Sequence, residues 1–193
     1  MNRLRGLTLP EILVAMTLLG LIGLVTLQIF LTTRTVLNFG SGRMDVQQTA
    51  RETLRRLVPL VESAIPRNLA QGAVLLPADG ASGSRLEFLS TQDHLGGTAL
   101  DPRNPVYYRF AIFRQPDGDV FLEQTNPATT LPRRRLARGL RELFFENQGG
   151  TSVRIRVQAV GTVRNARGAD RDVQSTLETL VFLPYYLHQP GSP

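Results

Sequence analysis

Residues 6–15 read GLTLPEILVA, and they lead into an apolar run, residues 12–33, that holds no charged side chain before Arg34. As a helix rising about 1.5 Å per residue, such a run spans a hydrocarbon core of about 30 Å. Ahead of it stands MNRLRG, whose charges are Arg3 and Arg5. Positive charge beside a span is retained in the cytoplasm, so the chain beyond Arg34 is expected on the opposite side. A secretory signal is the nearest rival, but it has a shorter apolar core followed by a small-x-small cleavage site. The residues after the run, RTVLNFGSG at 34–42, contain no such site, which favours a permanent anchor.

Glu11 does not suit a plain anchor. An ionised carboxylate at the start of an apolar span costs several kcal/mol unless it is paired or stays near the headgroups. Two readings answer the cost. As a helix-terminal residue, Glu11 is favoured by the positive end of the macrodipole, and Thr8 with Glu11 has the spacing of a capping box. Alternatively, cleavage after Gly6 would expose the α-amino group of Leu7 about one turn away, a cation able to meet Glu11 of the same chain or of a neighbour. The two are compatible. Pro10 is tolerated in the first turn, where its missing N–H has no partner to lose.

The leader, Gly6, Leu7-Thr8-Leu9-Pro10-Glu11 and the uncharged run together resemble the class III signal of type IV pilins and type II secretion pseudopilins, whose usual form is Gly-Phe-Thr-Leu-x-Glu. Leu7 stands where Phe is commoner. The resemblance implies cleavage after Gly6 by the membrane prepilin peptidase, N-methylation of Leu7 by the same enzyme, and Glu11 as the acid that guides assembly. It covers about the first 35 residues.

The remainder is a different material. Of the charged residues, 22 are basic and 16 acidic, giving a net charge of +6, and every basic residue is Arg. All the acids but Glu11 lie beyond the apolar run. No Cys occurs, so disulfides and thiolate chemistry are excluded. From Val46 an amphipathic pattern runs through Ala50, Leu54, Leu57, Val61 and Ile65, with charged residues between them. Gly40 and Gly42 are candidates to interrupt or bend that helix. Pro59 is expected to kink it, and its end is expected near Pro66.

Beyond it the period shortens to two. Residues 73–76, 85–89, 106–114, 120–124, 140–146, 153–160 and 176–182 read as strands of a mostly antiparallel sheet. Residues 95–105 and 161–174 read as loops, and 188–193 as a tail. Asp117-Gly118-Asp119 reads as a hairpin turn rather than a cation site, for it lacks the further oxygens that calcium requires. The expected fold is α+β and pilin-like. A leader spans 1–6, an anchor helix 7–34 and its amphipathic continuation 35–66; this long helix is packed on a sheet domain at 67–187, with a tail at 188–193.

The second half is similar, more loosely, to J-type minor pseudopilins and W-type minor pilins, through Tyr107-Tyr108-Arg109-Phe110, Phe113-Arg114, and Leu140 with Leu143-Phe144-Phe145. That similarity implies a place at or near a filament tip beside I-type and K-type partners, with other pilins and an inner-membrane assembly platform. No cofactor, metal or catalytic group is expected. His94 and His188 are the only imidazoles, and no nucleophile elbow or phosphate loop is present. Arg133, Arg134, Arg135, Arg138 and Arg141 form a basic cluster. Ordinarily such a cluster is a solvated loop and strand edge; the competing reading is contact with the phosphates of extracellular DNA, which needs charge and no motif.

Overall fold

The computed structural model describes residues 9–66, 72–96, 106–125, 131–164 and 170–183. It is an α+β chain in which one long N-terminal helix precedes antiparallel sheets. Helix α1 runs Leu9–Glu62. Leu, a good helix former, is its commonest residue, with Thr and Val next, and its early Pro10 meets no hydrogen-bonding demand. Gly40 and Gly42 lie inside α1 and do not end it. The helix also continues through Pro59 and stops at Glu62, short of the expected Pro66, because the backbone N–H of Ile65 turns to the carbonyl of Leu89 on the sheet, 2.8 Å away.

The chain divides into two compact units, Met1–Gly42 with Thr162–Arg171, and Arg43–Gly161 with Asp172–Pro193. In the first, Gly42 has a packing role. A Cβ built on it would lie 2.1 Å from Cγ2 of Val163, so only the bare backbone leaves room for that side chain.

The second unit holds the core. From α1 it takes Val46, Ala50, Thr53, Leu57 and Val61, all buried and spaced by three or four residues, so one face of this segment is covered. Thr53 is accommodated because its hydroxyl donates to the carbonyl of Thr49 at 2.8 Å. Each fully buried Leu or Val contributes about 1.5–3 kcal/mol through its removal from water.

Two sheets meet this face, where the sequence suggested one. The five-stranded sheet has the order β1 (Val74–Leu76), β3 (Arg85–Ser90), β4 (Tyr108–Arg114), β5 (Val120–Thr125), β6 (Arg134–Ala137). The four-stranded sheet has the order β2 (Ser82–Gly83), β7 (Leu140–Gln148), β8 (Ser152–Arg164), β9 (Asp170–Phe182). Their inner faces share one cluster. Phe88 and Phe110 stack at 5.4 Å between ring centroids and join Leu86, Ile112 and Leu122 from the first sheet, with Phe145, Ile155 and Val157 from the second. On β8, Val153, Ile155, Val157 and Ala159 are buried while Arg154, Arg156 and Gln158 between them are only half-buried, as period-two alternation requires.

Two readings of the sequence need correction. Residues 161–174 were expected to be a loop, but β8 extends to Arg164 and β9 begins at Asp170, leaving only 165–169 outside the described residues. Charged and glycine-containing sequence still forms strand when the two arms of a hairpin supply each other's backbone partners. Likewise β6 occupies Arg134–Ala137, inside the arginine run, because β5 offers it a pairing edge. Residues 97–105 and the tail 188–193 lie outside the described residues.

Candidate functional site

Helix α1 is long and apolar enough to cross a membrane. Its best 18-residue window has a mean hydropathy of 2.4, and none of that window is buried. Leu13, Leu19, Leu21, Leu24 and Phe30 are all exposed large hydrophobics, so apolar surface goes around the helix and not along a stripe. The hydroxyls in this stretch are closed internally. Thr17 donates to the carbonyl of Val14 and Thr26 to that of Ile22, both at 2.8 Å, and Thr32 donates to that of Gln28 at 2.9 Å. A hydroxyl bonded to its own helix is much cheaper to surround with hydrocarbon.

Glu11 stands exposed in the first turn of α1, where the macrodipole favours an anion. Gly6, Leu7 and Thr8 lie outside the described residues.

The arginine cluster lies on neighbouring parts of the second unit. Arg134 and Arg135 lie on β6, Arg133 just before it, and Arg141 on β7, with Arg138 between the strands. Arg133 pairs with Glu123 at 3.3 Å and Arg135 with Asp119 at 3.2 Å. All five arginines are exposed. Asp119 is therefore engaged by a guanidinium, and its backbone N–H donates to Oδ1 of Asp117 at 3.0 Å. Gly118 between them takes φ 89°, a left-handed conformation open to glycine at little cost.

Two polar clusters escaped the sequence reading. Glu87, only 5% exposed, lies on the outer face of the five-stranded sheet with Arg85 and Arg109. Nε of Arg85 donates to its Oε1 at 2.6 Å, and Nε of Arg109 donates to its Oε2 at 3.0 Å, joined there by an Nη2 contact. Burial pushes the Glu87 carboxyl up, but hydrogen bonds and charge from Arg109 and Arg85 outweigh it and hold the group below the usual carboxylate value. The period-two spacing of Arg85 and Glu87 signalled a shared face; that Arg109 joins them depends on β3 pairing with β4.

The second cluster joins the end of α1 to the turn after β3. Oγ of Ser63 donates to the carbonyl of Leu60 at 2.6 Å and lies 2.8 Å from Nε2 of His94. Since that hydroxyl proton is already committed, Nε2–H of His94 is the donor in the contact. Ser90 Oγ donates to Ser63 Oγ at 3.3 Å, and the His94 ring meets Phe110 edge-on at 5.1 Å. Desolvation is the main cause that depresses the His94 pKa, with Arg134 adding to it and Asp93 opposing. The serine hydroxyl next to an imidazole is a structural tie here: Ser63 is buried and its proton faces a backbone carbonyl. Among the described residues no group of three or more His, Asp or Glu could hold a metal ion. No family model, curated protein or solved structure matches the chain.

Proposed function

We propose that this chain is a non-enzymatic filament subunit of the type IV pilin class, a minor pseudopilin or minor pilin of the J or W kind. The prepilin peptidase removes residues 1–6 and methylates Leu7. The subunit waits as a single-pass inner-membrane protein with a cytoplasmic N-terminus and a periplasmic sheet domain. It then enters a filament at or near its tip beside I-type and K-type partners, where it initiates assembly. The observation that carries this reading is the position of Glu11. The only acid of the N-terminal 44 residues sits in the first turn of a helix whose following surface is apolar all round. An α-amino group released at Leu7 is a cation about one turn away, able to pair with this carboxylate in hydrocarbon.

Mass spectrometry of the cellular protein tests it. The expected product begins at Leu7 and bears one methyl group. Glu11→Leu is cleaved but enters filaments poorly. An uncut hexapeptide in cells with an active prepilin peptidase, or normal assembly of Glu11→Leu, overturns the reading.

Capture of extracellular DNA is the weaker alternative, since two of the five exposed arginines, Arg133 and Arg135, are already paired with acids. Binding to random duplex that falls steeply as salt rises supports it, and no binding at low salt removes it.

A further inference from the structure

Each sheet has two edges, and three of the four are blunted. In the five-stranded sheet, β1 has 3 residues and β6 has 4. The β6 edge is further occupied by Nη1 of Arg56, which donates to the carbonyl of Leu136 at 2.8 Å. In the four-stranded sheet, β2 has 2 residues. The remaining edge belongs to β9, with 13 residues. Long edges present alternating unpaired N–H and C=O groups, and folded proteins ordinarily shorten, charge or cover them. β9 is left long and, among the described residues, no strand covers its outer edge.

The side chains flanking this edge are patterned. Val173 and Val181 are buried, while Asp172, Gln174, Thr176, Glu178, Leu180 and Phe182 are exposed on the opposite face. Glu178 is neutralised from β8, by Arg154 at 3.2 Å and Arg156 at 3.3 Å. What this leaves is Asp172 at one end, beside Asp170 and Arg171, and two apolar side chains at the other, Leu180 at 40% and Phe182 at 59% exposure.

We propose that the outer edge of β9 is a docking site for an extended segment of a different polypeptide, which adds as an antiparallel strand with a basic residue opposite Asp172 and apolar residues beside Leu180 and Phe182. Backbone hydrogen bonds give such a strand its affinity, and the alternate side chains give it direction. Antiparallel addition continues the pattern of the sheet, in which β7 pairs antiparallel with both β2 and β8. A second copy of β9 fits poorly. In antiparallel self-pairing centred on Ser175, Asp172 falls opposite Glu178; centred on Thr176 or Leu177, it falls opposite Leu180 or Phe182. None of these registers sets a basic residue directly opposite Asp172. This site does not depend on the chain being a filament subunit.

The test uses the full-length protein in detergent micelles and a synthetic peptide of about ten residues, alternating Val and Thr, with Arg near its C-terminus. The expected result, read by hydrogen-exchange mass spectrometry, is slower exchange of β9 amides on adding peptide, with β1 and β6 unchanged. Moving the Arg to the peptide N-terminus weakens binding about tenfold, and so does Leu180→Lys with Phe182→Lys, which leaves thermal unfolding unchanged because both side chains are exposed. Asp172→Arg restores tight binding to a peptide carrying Glu in place of that Arg. β9 amides that exchange identically with and without peptide, or equal binding of both peptide directions, overturn the proposal. Protection of β9 that rises with protein concentration alone assigns the edge to a second copy and overturns it as well.

Discussion

Two parts of α1 share one backbone geometry and carry opposite surfaces. In the earlier part, Leu13, Leu19, Leu21, Leu24 and Phe30 expose apolar surface on every side. In the later part, Val46, Ala50, Leu57 and Val61 bury one stripe, while Arg51, Glu52, Arg55 and Glu62 on the other face remain in water. Helical hydrogen bonds are the same in both, so they do not distinguish the two. The difference lies in what each surface requires around it: hydrocarbon or other apolar helices for the first, a sheet core on one side and water on the other for the second.

The sharpest way to break that comparison is to truncate the same side chain in each part. Leu57→Ala, at a fully buried position, is expected to lower the unfolding free energy of the full-length protein in micelles by about 2–5 kcal/mol. Leu24→Ala changes it by less than about 0.5 kcal/mol. Equal effects in a denaturant titration would erase the distinction. Placing a charge instead reverses the ranking. Leu21→Arg costs membrane insertion about 2.5–3.5 kcal/mol, read as a loss of protease protection in membrane vesicles, and leaves the sheet domain's unfolding midpoint unaltered.

Glycine gives a finer contrast within the first unit. Gly42→Ala drives a Cβ into Val163 and is expected to destabilise by about 1–3 kcal/mol, relieved when Val163→Ala accompanies it. Gly20→Ala meets nothing within 4 Å and raises helix stability by about 0.5–1 kcal/mol. Circular dichroism of the three variants through thermal unfolding separates the two outcomes.

The smallest effect expected is one of pH, confined to the second unit. His94 is held below its ordinary value of 6.5, so the unfolded chain takes up a proton there more readily than the folded one. Its contribution to stability is complete above pH 6.5 and is lost as pH falls through the depressed value. Glu87 is held below 4.5, and the same sign applies: its contribution is present above pH 4.5 and disappears in more acidic solution. Unfolding followed from pH 8 downward should therefore weaken in two stages. His94→Asn removes the upper stage and Glu87→Gln the lower. A stability that rises on acidification contradicts both assignments.

Local period explains how much of the chemistry could be read before the fold was known. The apolar run, Glu11 at its start and the stripe from Val46 to Val61 all depend on residues within a turn or two of one another. The same is true of the Val153, Ile155, Val157 and Ala159 alternation on β8. The misreadings came where the chain has no local preference of its own. Residues 161–164 and 170–174 carry the Gly and charges of a loop, yet each arm of the hairpin holds the other. β6 was hidden in an arginine run because Arg135 finds Phe121 opposite it and Asp119 as an ion partner only once β5 and β6 pair.

The residues by themselves determined that an apolar helix takes in the uncharged run 12–33, that its later turns have one face to bury, and that short strands follow. Tertiary structure alone decided that those strands form two sheets, that Arg109 reaches Glu87, that His94 ties to Ser63, and that β9 is the long edge left over. The physical reason is range. Helical and strand periodicity arise from neighbours along the chain, whereas a sheet edge, a buried ion pair or a close glycine contact exists only when residues distant in sequence arrive together.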